Sequence, residues 1–115
     1  MNLLKRLFTR SNISSDDKIA NAALNLSLEW GENFGKPINA RLIKMFPQVS
    51  ETRAAELDRL CKEIKRYAFD LYYDMVAANT MNEWTVQQKI KTRYPFLDKD
   101  NLRRLGTQGM YYAHK

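Results

Sequence analysis

Apolar positions along this chain recur at helical spacing, in five blocks separated by glycine, proline and capping residues. The first block, from about residue 15 to residue 30, sets Ile19, Ala22, Ala23, Leu26 and Trp30 on one face, with Leu24 and Leu28 widening it. Such breadth predicts contact on two sides. Ser14 with Asp17 approximates a capping box at its start, and Gly31 and Gly35 stop it. Lys36-Pro37 leads into a short second helix over 38–45, and a long third helix over about 51–78 carries the stripe Ala54, Leu57, Leu60, Cys61, Ile64, Ala68, Leu71, Met75 and Ala78. On its outer faces Asp58/Lys62, Arg59/Glu63 and Arg66/Asp70 stand at i,i+4 spacing. Asn79 suits a left-handed stop, and Thr80-Met81-Asn82-Glu83 reads as a capping box for a fourth helix that brings Trp84, Val86 and Ile90 inward. The last helix, from Asp98, is expected to bury Leu102, Leu105, Gly109, Tyr112 and Ala113.

Two of these junctions are copies of each other. Sliding Ile38 onto Val86 brings Leu42 onto Ile90, Phe46 onto Tyr94, Pro47 onto Pro95, Val49 onto Leu97 and Ser50 onto Asp98. A residue before proline is driven out of the α region, so Phe46 and Tyr94 should each end a helix and turn the chain. Ser50 and Asp98 can then cap the following helix, with Val49/Ala54 and Leu97/Leu102 placed as hydrophobic staples. Gly106 and Gly109 each cost about 1 kcal/mol relative to alanine inside a helix, which predicts a close helix crossing or a shortened helix. No stretch alternates with period two between hairpin turns. The expected fold is all-α: a compact bundle of five helices, six if the N-terminus orders, built as two helix-corner-helix hairpins in pseudo-repeat around the long central helix.

The run Leu42-Ile43-Lys44-Met45-Phe46-Pro47-Gln48-Val49, followed by Leu57 and Leu60, resembles the Met-Phe-Pro corner of CUE-type ubiquitin-binding domains. The helix after it is longer than a three-helix CUE module allows, and the second copy reads Arg93-Tyr94-Pro95. The likeness is therefore read as convergence on a helix-stopping corner.

Composition narrows the class. A chain of 115 residues with 44% hydrophobic and 28% charged side chains suits one compact domain, taken as residues 15–115. Residues 1–14 precede it as a basic amphipathic segment and linker, in which Leu3, Leu4, Leu7 and Phe8 alternate with Lys5, Arg6 and Arg10. That pattern fits packing on the domain or contact with a membrane surface through residues 1–10. Cys61 has no second cysteine to pair with, and with His114 alone it cannot build a zinc cluster. There is no apolar run of spanning length and no signal-peptide core, so a cytoplasmic protein is expected. The net charge of +6 divides as +2 over residues 1–18, zero over 19–80 and +4 over 81–115. An acidic partner is thus expected for the C-terminal unit.

Candidate chemistry points away from catalysis. His114 stands beside the terminus, Cys61 lies in an apolar stripe, and the helical carboxylates alternate with Arg and Lys at salt-bridge spacing. Gly31-Glu32-Asn33-Phe34-Gly35-Lys36 lacks P-loop spacing and has no strand before it. No enzyme activity, cofactor, metal or small-molecule substrate is expected. The C-terminal hairpin offers two binding readings instead. In the first, a protein partner with an acidic surface docks on Arg93, Phe96, Lys99, Arg103, Arg104 and Tyr111, residue types enriched at interfaces. In the alternative, residues 86–113 act as a DNA- or RNA-binding helix-turn-helix, with Lys99, Asn101, Arg103, Arg104 and Gln108 exposed for base or phosphate contact and Lys89, Lys91 and Arg93 on the backbone. Asp98 and Asp100 would face phosphates in that docking, which favours the first reading.

Overall fold

The computed structural model describes the backbone of residues 3–115 and the side chains from residue 15 onward. Its elements are α1 (Leu3–Ser27), a single 3₁₀ turn at Gly31–Asn33, α2 (Asn39–Met45), α3 (Glu51–Ala77), α4 (Glu83–Arg93) and α5 (Lys99–Ala113), with no strand among the described residues. The protein is an all-α bundle, as the periodicity predicts. α1 starts well before Ser14, which lies inside the helix and does not cap it, and α1 ends at Ser27, short of Trp30. The contacts expected of side chains 1–10 lie outside the described residues.

Local chemistry accounts for most helix ends. Ser50 accepts a hydrogen bond from the Arg53 N–H at 3.0 Å and Asp98 accepts one from the Asn101 N–H at 2.8 Å, so both expected caps form. α4 differs: its cap is Asn82, accepting from the Thr85 N–H at 3.0 Å, and Thr80 lies two residues outside. At the end of α3, Asn79 takes the left-handed conformation with φ 56°. The Asn79 N–H then reaches the Val76 carbonyl at 3.0 Å and the Thr80 N–H reaches that of Met75 at 2.9 Å, which together make a Schellman motif. Gly31 and Gly35 also lie at positive φ, 89° and 79°, so this segment is a turn.

The two corners repeat in three dimensions. Phe46 sits at φ −131°, ψ 80° and Tyr94 at φ −127°, ψ 75°, and each accepts an N–H three residues on, from Val49 at 2.9 Å and from Leu97 at 3.1 Å. The matched apolar pairs Ile38/Val86, Leu42/Ile90 and Val49/Leu97 are all buried. α3, the second helix of the first hairpin, packs against all four other helices and supplies Ala54, Leu57, Cys61, Ile64, Ala68 and Tyr72 to a core that includes Ala23, Leu24 and Leu28 of α1 and Leu105 of α5.

Several expected core positions lie elsewhere. Leu60, Leu71 and Met75 are only partly buried and Ala78 is exposed, because the stripe of α3 turns to follow Tyr72 toward α5. There a Cβ added to Gly109 would lie 2.5 Å from the Tyr72 ring, so the glycine admits the close crossing. Asp58 forms its expected ion pair with Lys62 at 3.0 Å, yet it is buried and also accepts the Ile38 N–H at 3.2 Å. The pairs Arg59/Glu63 and Arg66/Asp70 do not form among the described residues. Trp30 and Trp84, both expected inside, are 53% and 70% exposed.

Candidate binding surface of the C-terminal hairpin

The hairpin α4–α5 is anchored by amides that the helical pattern alone places outside. Asn21 of α1 donates to the Phe96 carbonyl at 2.9 Å and accepts the Asp98 N–H at 2.9 Å, gripping the corner on both sides. Asn101 is buried and donates to the Asn21 carbonyl at 2.8 Å. Gln108 is buried too, giving its amide N–H to the Leu28 carbonyl at 2.6 Å. Both residues, expected on the exposed face of α5, instead point into the bundle, where a nucleic acid cannot reach them. The carbonyls ending α1 also receive Arg41 at Leu26 and Lys65 at Ser27, so cations and an amide from α2, α3 and α5 meet the negative end of its dipole. Burial holds the Lys65 ammonium below its ordinary pKa, with the fields of Cys61 and Asp58 opposing that shift.

The cations of the hairpin fall into three states. Arg103 and Arg104 both pair with Asp100 on the outer face of α5, and the Arg103 hydrogen bond with the Arg104 charge holds that carboxyl below its ordinary pKa. Lys91 donates to the Leu97 carbonyl at 2.6 Å and is spent on the corner. Lys89, Arg93 and Lys99 are exposed and form no ion pair among the described residues.

Arg93 is held in place by two aromatic rings and, through Tyr94, lies in the field of Glu63 without a direct ion pair to it. Its guanidinium lies 4.8 Å from the centre of the Tyr67 ring and 5.7 Å from that of Tyr94, both cation–π distances. Its Nε donates to the Tyr94 hydroxyl at 3.2 Å, and that hydroxyl donates to Glu63 at 2.7 Å. Burial and the bond to Glu63 push the Tyr94 phenol above its ordinary pKa, so it stays a donor. The bond to Tyr94 likewise raises the Arg93 pKa. Beside Arg93 a groove of about 500 Å³ opens between α3 and α4, lined by Tyr67, Trp84, Thr85, Gln88, Lys89 and Thr92 along with Arg93 itself. No carboxylate lines it. A second depression, of about 470 Å³ between α1 and α5, has Asp17 and Asp98 in its wall against Lys18.

Of the other candidates, Phe96 is half-buried against the Tyr94 ring, and Tyr111 is exposed but turned away from Arg93 into a separate aromatic cluster. There Trp30 stacks on Phe34 with ring centres 5.2 Å apart and meets Tyr111 edge-on at 5.7 Å, while Tyr112 is half-buried between Phe34 and Phe69. The six expected contact residues thus do not form one patch. Trp84 is the residue that pattern reasoning misplaces, by grouping it with Val86 and Ile90 on the inward face. The signal that could have found it is spacing: at 3.6 residues per turn Trp84 stands about 160° round the helix from Val86 and about 120° from Ile90, away from the buried face.

No helix among the described residues is long and apolar enough to cross a membrane, and no group of three metal-binding side chains occurs among them. Comparison with protein-family models, curated proteins and solved structures finds no match to this chain.

Proposed function

We propose that this chain is a non-catalytic helical binding protein that docks a protein partner with an acidic surface through its C-terminal hairpin. One observation carries the reading: Lys89, Arg93 and Lys99 are exposed on that hairpin and form no ion pair among the described residues, and Lys89 and Arg93 share a groove with the exposed ring of Trp84. Unpaired cations next to an exposed aromatic suit an acidic protein surface, the charges speeding encounter and the ring supplying buried area. Arg103 and Arg104 contribute less, because a partner must compete with Asp100 for them. The helix-turn-helix reading is supported less well. With Asn101 and Gln108 buried, the face of α5 keeps Lys99, Arg103 and Arg104 around an aspartate and has lost both amides that would read base edges. A cytoplasmic setting belongs to the same proposal and rests on the lone, buried Cys61.

The test is affinity capture with the full chain, comparing wild type with the double reversal Lys89→Glu/Lys99→Glu and with the control Lys44→Glu on α2. Acidic protein partners should be retained by wild type and control and lost by the double reversal. Recovery of the same partners by all three would remove the hairpin from the interaction.

A further inference from the structure

The outer stripe of α4 consists of Thr85, Gln88, Lys89, Thr92 and Arg93, residues spaced so that they share one face of the helix, with Trp84 at its N-terminal end. Tyr67 of α3 forms the opposite wall. The chemistry of this groove is specific: two aromatic surfaces, three uncharged hydrogen-bonding side chains, two cations and no anion.

Arg93 defines the ligand group most closely. Its Nε is taken by Tyr94, and the Tyr67 and Tyr94 rings hold the guanidinium plane, while neither terminal nitrogen has a hydrogen-bond partner among the described residues. A planar fork immobilised from behind and open in front is the geometry that takes a carboxylate through two parallel N–H···O bonds. Because the side chain is already ordered, binding there loses little rotamer freedom. Lys89, one turn back on the same stripe, is placed for a second acidic group.

We infer that the groove between α3 and α4 receives an acidic peptide segment of the partner, one carboxylate gripped end-on by Arg93, another near Lys89, and an apolar side chain laid across Trp84 and Tyr67. This rests on the reading of an acidic protein partner and places its docking on the α4 stripe, away from the α5 face and from Tyr111. The absence of any carboxylate from the groove wall is the charge complementarity that selects this occupant.

The experiment titrates isotope-labelled full chain, followed by nuclear magnetic resonance, with three probes: a synthetic peptide alternating Glu and Leu, the same peptide with Gln for every Glu, and oligothymidylate. The Glu peptide should shift the amides of residues 84–93 and the Trp84 indole N–H, which the variant Trp84→Phe identifies. The Gln peptide should bind about tenfold more weakly or worse, the loss expected when charge-assisted hydrogen bonds are removed. Arg93→Ala should cost a similar factor and Arg93→Lys should not restore it, because an ammonium lacks the fork, while dispersed spectra show that both variants remain folded. If the Glu peptide instead shifts the Trp30 indole and α5, the groove assignment falls and the acidic-partner reading survives. Equal binding of the Gln peptide, or no binding of the Glu peptide, overturns the inference, and the capture comparison then decides the broader reading separately. Tighter binding of oligothymidylate than of the Glu peptide overturns both.

Discussion

At the scale of single residues, the side chains that matter most are those whose polar ends go where an apolar pattern gives no hint. Asn21, Asn101 and Gln108 are buried amides that join α1 to α5 through backbone carbonyls. Had those carbonyls stayed unpaired inside the bundle, each would cost about 1 to 3 kcal/mol. From sequence, an asparagine or glutamine in a basic helix reads as a surface contact, because its partner is a carbonyl some eighty residues away. Cys61 was legible, by contrast, since it falls within the stripe of Ala54, Leu57 and Ile64. Burial, reinforced by the charge of Asp58 and opposed by Lys65, pushes its thiol from the ordinary 9.0 up to about 12. Raising an acid's pKa on folding means that the native state holds the proton after the unfolded state has released it. The associated stability is therefore full below pH 9.0 and declines as pH rises toward about 12. Lys65, whose pKa is lowered from the ordinary 10.5, works in the opposite direction as pH rises toward that value, within the same alkaline range. Urea unfolding of wild type and Cys61→Ala across this alkaline range should show wild type losing stability more steeply, by up to about 1.4 kcal/mol per pH unit. Parallel pH dependences would contradict this account of the thiol.

At the scale of elements, the repeated corner was the most legible feature, because proline, cap and staple are each local and each recurs. Phe46 and Tyr94 adopt nearly the same backbone geometry, and Ser50 and Asp98 both cap as expected. The rotation of helices about their axes was less legible. Trp84 stands two residues from Val86 and so faces outward while Val86 and Ile90 face inward, and the burial of Tyr72 shifts the inner face of α3 away from Leu71 and Met75. Tyr72 was hidden because the groove it fills is created by glycines far along the chain. A Cβ on Gly109 would meet the Tyr72 ring at 2.5 Å, whereas one on Gly106 would meet the Glu83 carboxylate end at 2.6 Å and the Tyr72 hydroxyl at 2.8 Å. The ring cannot swing aside within the core, and Tyr72 opposes Gly109 with two ring carbons and its Cβ but Gly106 with its hydroxyl alone, the exposed Glu83 side chain being free to shift. Gly109→Ala should therefore destabilise by about 1 to 3 kcal/mol through overpacking despite its better helix propensity, and Gly106→Ala by less. Chemical denaturation compares them directly. Equal effects, or a stabilising Gly109→Ala, would mean that the crossing is looser than described.

At the scale of the whole molecule, charge and aromatic surface separate by location. The span 19–80 is neutral overall and forms the scaffold, while the excess over 81–115 is partly consumed internally by Asp100 and by the corner carbonyl at Leu97. Left from that excess without an ion pair among the described residues are Lys89, Arg93, Lys99 and, over the Tyr111 ring, Lys115, and the first two stand in the groove beside Trp84. The net charge was readable from composition, but its internal pairing was not, because Arg103 and Arg104 look as available as Arg93 until Asp100 is seen between them. The most direct measurement is fluorescence anisotropy of a labelled Glu/Leu peptide and a labelled random duplex DNA, each titrated with the full chain at physiological salt. The peptide should bind more tightly than the duplex, with Lys89→Glu/Arg93→Glu abolishing the peptide signal and Arg103→Ala reducing it little. Micromolar binding to the duplex, falling steeply with added salt and surviving the Lys89/Arg93 reversal, would contradict it.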